Sequence, residues 1–545
     1  MKHTTVSLID LIFTSNEDNI TRHGTTDPIA DHDGIFVTFH SSVPKEKVIC
    51  KDVFDYKNID EIGLRNYIKD FDFESTVFTL PVKEQANEMT KILHSALKKF
   101  VPVKKIIIKP SDQPWVNSYT RLLMRKKNRN YHLYKKISFA YLNAQNMHGT
   151  THETITRLKD KKDKAFKKAN NSAIESKKAN LRVKNAFFNT VNSTMQNHEI
   201  SAKKKFSILT KLMKSQKLSA IPPIISQNEV INDAKRKSDI FNDLFTAKAS
   251  VEGNDDPAPV LEPLDSVLES LEQINTSPIE ISKILRQLKR SNSSHCGIPG
   301  KFLNMIATPL SFSLSRLLNN CFEIGHFPDI FKISHVTALW KRSGLKSDPA
   351  NYRPIALLPS LSKAAEAVIH KRLLDHFTKN NIISNRQAAY LKGDSTISQL
   401  LYIIDLIRKS WGKGNITQGI FLDVSAAFDK CWHKGILAKL KQAKVDGSCL
   451  DLFTSYLENR KQCTVVDNVK SKFKDVTAGV PQGSKLGPLL WILYCNDIIK
   501  DIESEILLFA DDTCYFVSGT DPAETAIILN RDFKRIDGQK VEGKF

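Results

Sequence analysis

"ILLFADDTCYF", residues 506–516, sets Asp511 and Asp512 side by side inside a run whose other members ask for a buried strand. Two ionised carboxylates ~5 Å apart at an effective dielectric near 20 repel by about 3 kcal/mol. A purely structural turn avoids that cost with one Asp or an Asn, so the pair points to a missing positive charge. Chance supplies about one Asp-Asp dipeptide in a chain of this length, and the second one here, Asp255-Asp256 in "VEGNDDPAPV", reads as plain loop. The surroundings of Asp511 and Asp512 therefore decide what they are for.

Upstream, "QGIFLDVSAAFDKCWHKGIL" (418–437) ends a hydrophobic strand run on Asp423 and then turns helical. Between the two acidic sites, "TAGVPQGSKLGPLLWILYCNDI" (477–498) feeds a Gly/Pro-rich loop into a long apolar helix beginning near Leu486. Glycines there let backbone approach a ligand closely, and a helix N-terminus favours anionic groups. Joining nucleotides takes two divalent cations ~4 Å apart on hard oxygen ligands. One carboxylate at a strand end and two on a neighbouring hairpin build such a clamp.

The chain has 545 residues, 41% of them hydrophobic, enough for several domains and a large core. Its net charge of +21 is localised: residues 101–220 hold 27 Lys+Arg against 6 Asp+Glu, whereas the remainder balances at 53 against 53. That concentration suits a polyanion such as nucleic acid, or equally a solvated Lys-rich helix face. Apolar spacing of three and four predicts helices through most of 83–217. In "WVNSYTRLLMRKKNRNYHLYKKISFAYL" (115–142), Tyr119, Tyr131 and Tyr134 interleave with Lys and Arg. They read either as a stacking surface beside phosphate contacts or as the buried stripe of an amphipathic helix. "KKDKAFKK" (161–168) reads as an import signal or as solvated helix.

The eight cysteines show no metal-ligand spacing and read as reduced thiols. Neither a signal peptide nor an apolar run of the ~20 residues a membrane span needs is evident. A soluble intracellular protein, nuclear or cytoplasmic, is expected.

Taken in order, "NYRPIALLPSLSKAAEAVIHKRL" (351–373), "NRQAAYLKGDSTISQLL" (385–401), "FLDVSAAFD" (421–429), "GVPQGSKLGPLL" (479–490) and "FADD" (509–512) resemble the successive motifs of a reverse transcriptase of the non-LTR, jockey-like retrotransposon type. The resemblance covers roughly residues 280–540. It implies an α+β right-hand polymerase palm and fingers acting on an RNA template, a DNA primer or target, and deoxynucleoside triphosphates. Asp423 and Asp511 would hold two Mg²⁺ ions, with Mn²⁺ as a substitute, and Asp512 would accompany them. Lys341, or its neighbour Arg342, and Arg353 would meet the triphosphate. Gln482 and Gly483 would sit against the template-nucleotide pair. Phe428, five residues after Asp423, would exclude a 2′-hydroxyl and so select deoxynucleotides.

The first forty residues resemble the closing strands of an exonuclease-endonuclease-phosphatase domain, in "SLIDLIF" with Asp10 and "ADHDGIFVTF" with Asp31 and His32. The expected organisation is an endonuclease remnant over 1–42, a mostly helical basic region over 43–250, a linker over 251–275, and fingers and palm over 276–545, ending before a thumb. Strands are expected at "TVSLIDLIF" and "GIFVTFH", with a polar loop between them. Cys296 and Ala389 depart from the family's usual Asp and Gly, at positions that hold no metal. The rival class is a non-catalytic nucleic-acid-binding remnant using residues 101–220.

Overall fold

The computed structural model describes residues 20–29, 32–39, 49–108, 115–147, 151–196, 221–227, 229–251, 256–288, 296–391, 393–424 and 426–543. The chain forms two compact units, Met1–Asp52 with Lys105–Leu218, and Val53–Lys104 with Ser219–Phe545. The stretch 43–250 thus contributes to both.

In the first unit, β1 (Ile20–Ile29) pairs antiparallel with β2 (His32–Phe39). β2 lies where the alternating "GIFVTF" predicts a strand. β1, however, falls within the stretch read as a polar loop; β-branched Ile20, Thr25 and Thr26 suit a strand despite their polarity. The other expected strand, "TVSLIDLIF", lies outside the described residues. Helices Ser118–Asn146 and His152–Gln196 form a hairpin. Contacts at Trp115–Phe188, Lys126–Glu175 and Tyr134–Phe166 step inward toward its turn, so the helices run antiparallel. The small residues Ala165, Ala169, Ser172 and Ser176 make the buried seam at three- and four-residue spacing. Tyr119 and Tyr131 are 58% and 48% exposed, so they are not part of a buried stripe.

β3 (Ile49–Phe54) and β4 (Val103–Ile108) pair where the chain passes between units. In the second unit, helix Val82–Phe100 buries Met89, Leu93 and Leu97 on one side, as its periodicity predicts. β5 (Ile224–Ser226) and β6 (Glu229–Ile231) form a small ribbon ahead of helix Ala234–Lys248. Residues 256–275 form neither helix nor an extended strand, but they are no free tether. Leu264 and Leu271 donate backbone bonds to Gln442 and Lys444, and Val267 is fully buried.

Two sheets carry the strand-borne candidate residues. One joins β7 (Ile333–Trp340), β8 (Tyr352–Leu357), β10 (Arg460–Val466), β11 (Val469–Lys470) and β12 (Lys474–Val476), with β7–β8 antiparallel and β7–β10 parallel. The other has the order β13 (Glu505–Phe509), β14 (Asp512–Gly519), β9 (Ile416–Asp423), all antiparallel. Helix Pro522–Gly543 covers one face of this second sheet through Leu529 and Ile536, against Ile506, Leu508 and Tyr515. Strand alternation then assigns Leu422 to the covered face and Asp423 to the opposite one. Helix Leu486–Tyr494 is buried at all but one of its nine positions, which suits a sequence apolar all round.

Candidate active site

The pairing of β9 with β14 sets Asp423 directly opposite Asp512. Cross-strand neighbours have Cβ atoms about 5 Å apart, and like charges there destabilise a sheet. Asp511 occupies the adjoining turn, because Phe509 pairs with Asp512 and leaves only Ala510 and Asp511 to reverse the chain. Ala510 takes φ +61°, the left-handed region demanded of the first turn residue in a tight hairpin. An L-residue there costs about 1–2 kcal/mol, so the turn must be held from outside.

It is held on both sides. The Ala510 N–H donates to Gln387 Oε1 at 3.0 Å, and Trp491 Nε1–H donates to the Ala510 carbonyl at 3.1 Å. The strand before the turn is clamped too: Leu508 N–H donates to the Arg386 carbonyl, and the Leu508 carbonyl accepts in return from Ala388 N–H, both at 3.0 Å. Gln387 is 2% exposed. Sequence reading assigned no role to Gln387 or Trp491; a polar residue inside the otherwise apolar "QAAYL" is the trace that Gln387 left.

All three aspartates line one open cleft of about 690 Å³, together with Lys341, Arg353, Phe428 and Gln482. Lys341 follows the end of β7 and Arg353 lies on β8 opposite Leu339, so one hairpin supplies both cations. Arg342, the alternative to Lys341, is not among the lining residues. Burial pushes the Asp511 carboxyl above the usual carboxylate range; Asp512 and Asp423 push the same way, and Arg353 opposes them.

Phe428 sits in a short helical turn, Ala427–Asp429, at the floor of the cleft. Its ring stacks on Trp491, with centroids 5.8 Å apart, and meets Tyr390 edge-on at 6.5 Å. Gln482 donates to Asp429 Oδ1 at 2.8 Å, and burial raises the Asp429 carboxyl against the pull of Gln482, Lys248 and Lys341. Gly479 and Gly483 are required. At φ +80° and +130°, a Cβ on either would come within 2.6 Å of the carbonyl oxygen of Asp429 or Ala356 respectively. Gly483 is thus pressed against β8, beside the Ala356 N–H that donates to the Gln482 carbonyl at 2.8 Å. The loop's far end is fixed by buried Glu366, which accepts from Lys485 N–H at 2.6 Å where helix Leu486–Tyr494 begins.

Among the described residues, no three His, Cys, Asp or Glu side chains close into a metal cage. An open set of carboxylates nonetheless fits Mg²⁺, which is held by one or two carboxylates with waters and substrate phosphates rather than by an all-protein cage. The crowding of like charge around Asp511 is the observation that fits a cation here. Of the N-terminal candidates, Asp10 and Asp31 lie outside the described residues, and His32 opens β2 opposite Ile29. No helix among the described residues is long and apolar enough to cross a membrane.

Residues 341–541 match the family model for reverse transcriptase (RNA-dependent DNA polymerase). Over 243 residues the chain is 31% identical to the probable RNA-directed DNA polymerase from transposon X-element of Drosophila melanogaster, covering 44% of this chain and 27% of that protein. It is 33% identical over 208 residues to the RNA-directed DNA polymerase from mobile element jockey of the same organism, covering 37% and 23%. It is 32% identical over 238 residues to the Pol polyprotein of retrotransposable element R1 of Bradysia coprophila, covering 43% and 23%. The chain therefore spans about a quarter of the length of these relatives. Four of the five ordered motifs supply residues to one cleft, and the segment that carries them is similar to the reverse transcriptases of jockey-like non-LTR retrotransposons.

Proposed function

We propose that this cleft carries out RNA-directed DNA synthesis for a mobile element. The observation that carries the reading is the facing of Asp423, Asp511 and Asp512 by Lys341 and Arg353 across one open space. In the reaction, the primer 3′-oxygen bonds to the α-phosphorus of a deoxynucleoside triphosphate as the bond to the β-phosphate breaks. Pyrophosphate leaves and the hydroxyl proton passes to water. When bound, two Mg²⁺ ions would activate the hydroxyl and neutralise the phosphates, held by Asp423 and Asp511 with Asp512 in support. Lys341 and Arg353 orient the triphosphate, Phe428 closes the space beside the sugar C2′, and the Gln482–Gly483 backbone supports the nascent pair.

Primer extension on an RNA template tests this, comparing the wild-type chain with Asp423→Ala and Asp511→Ala. Loss of synthesis by at least about a thousandfold is expected, since the carboxylates act on the transition-state charge. Metal-dependent synthesis that survives either substitution refutes the site. A second reading, a nucleic-acid-binding unit without catalysis, draws on the hairpin of residues 118–196, with 18 Lys/Arg against 4 Asp/Glu. It predicts steeply salt-dependent RNA binding that is indifferent to Asp423→Ala.

A further inference from the structure

The cleft holds a third cation, and it comes from outside the stretch that matches the reverse transcriptase family. Helix Ala234–Lys248 ends on Lys248, which lines the cleft with Lys341 and Arg353. Its placement is firm because the helix is seated on the β7–β8 sheet. Phe241 and Phe245 are fully buried or nearly so, and Phe241 meets Tyr352 of β8 edge-on at 5.0 Å. Asn242 joins the same helix to Lys472 and Thr464 by hydrogen bonds of 3.0 and 3.2 Å.

Lys248 is half-buried, and no described carboxylate is ion-paired with it, with Lys341 or with Arg353. Burial and the neighbouring Lys341 charge both press the Lys248 ammonium to lose its proton, while Asp429 and Asp348 work the other way. Asp429 already accepts a hydrogen bond from Gln482 and is shared with Lys341. A lysine at a helix C-terminus gains about 0.3–1 kcal/mol from the dipole. That suffices for an exposed side chain; it does not explain one turned into a cleft beside a second lysine. Three cations from two elements, none ion-paired with a described carboxylate although they share one space with Asp423, Asp429, Asp511 and Asp512, suit a ligand with several negative charges of its own.

We propose that Lys248 binds the polyphosphate of the incoming nucleotide, completing with Lys341 and Arg353 a three-sided site for its β- and γ-phosphates. This rests on the polymerase function proposed for the cleft. The competing anion in such a cleft is the phosphate backbone of the primer-template, so the test separates the two.

Lys248→Gln and Lys248→Arg are compared with wild type in primer extension, with KM for deoxynucleoside triphosphate and kcat resolved, and in direct binding of primer-template duplex. Losing one charge-assisted contact should raise KM roughly tenfold in Lys248→Gln. Lys248→Arg should stay within about threefold, and duplex affinity within about twofold. An unchanged KM with intact synthesis overturns the assignment while leaving the polymerase reading standing; a loss of duplex affinity matching the loss in KM assigns Lys248 to the backbone and also overturns it. Binding of inorganic tripolyphosphate to the full chain provides a readout independent of synthesis. Weakening by both Lys248→Gln and Lys341→Gln supports the site even if the wild type fails to polymerise. Binding that neither substitution changes overturns it.

Discussion

Replacing Asp511 by Asn should make the metal-free protein more stable. Asp511 faces two carboxylates: Asp512 beside it in the turn, and Asp423, which pairs across the sheet with Asp512. At ~5 Å and an effective dielectric near 20, each such pair repels by about 3 kcal/mol. Partial exposure and the opposing Arg353 reduce this, leaving a gain of about 1–3 kcal/mol. Asn preserves the turn, since its short polar side chain tolerates such positions. For a unit of nearly 400 residues, 1 kcal/mol moves Tm by only about 1–1.5 °C, so a rise of roughly 1–4 °C is expected. The assay is thermal unfolding of the full chain in EDTA at low salt, with Asp256→Asn as control, because exposed Asp256 belongs to the other Asp-Asp dipeptide. That control removes the same charge from a chain of net charge +21 and should give no rise. Mg²⁺ should then stabilise wild type more than Asp511→Asn, closing or reversing the gap. High salt should narrow it as well. An Asp511→Asn protein no more stable than wild type in EDTA would refute the idea that the paired aspartates are tolerated for the sake of cations.

The surroundings of the turn and the loop carry further expected outcomes. Phe428→Ala opens the floor between Trp491 and Tyr390, and should raise incorporation of ribonucleotides relative to deoxynucleotides by about ten- to a hundredfold, read from competing extension rates. Gln387→Ala strips the buried Ala510 N–H of its acceptor, costing about 1–3 kcal/mol and lowering kcat more than it changes KM; Gln387→Glu, which keeps the acceptor, should recover part of kcat. His433, whose Nε2 bonds the Gly479 carbonyl at 2.8 Å, has its pKa pushed down to about 4 by burial. The unfolded chain takes up this proton near pH 6.5 and the folded one only near 4, so its contribution, about 3 kcal/mol, is complete above pH 6.5 and disappears as pH falls through that window. Unfolding midpoints of His433→Gln measured across pH 7 to 4 should flatten accordingly; an unaltered slope rejects this origin.

What the sequence made legible and what it hid divide along a physical line. Asp423, Asp511 and the Pro-Gln-Gly loop are readable as candidates from local spacing, a strand ending on a carboxylate, an acidic turn inside an apolar run and glycines before an apolar helix, whereas Phe428 stands out only through the family resemblance. Each of the first three has its own short-range signature, and the structure brings all four to one cleft. Gln387, Trp491 and Glu366 have none. Each acts on a backbone group more than a dozen residues away, and only the folded chain shows that Ala510 needs both an acceptor and a donor, or that helix Leu486–Tyr494 needs a carboxylate at its start. The same holds for the tyrosines of Ser118–Asn146, where periodicity allows a buried stripe but the small-residue seam at Ala165, Ala169 and Ser172 already supplies the contact.

Lys248 is the sharpest case, because its helix looks in sequence like one more basic amphipathic segment of the region before the polymerase. What singles it out is its position at the end of a helix whose other face is fixed by Phe241 and Phe245, which fixes where its last residue comes to lie. A side chain's direction is set by the packing of its neighbours one turn earlier, so removing that packing should act at a distance. Phe245→Ala leaves every cleft charge in place and deletes a ring from the helix seat, at a cost of about 3–5 kcal/mol in stability. If Lys248 works through its position, Phe245→Ala measured below its melting transition should raise KM for the nucleotide while leaving duplex affinity unchanged, as Lys248→Gln does, and adding Lys248→Gln to it should raise KM little further. Effects that multiply independently would mean the two residues serve different ends.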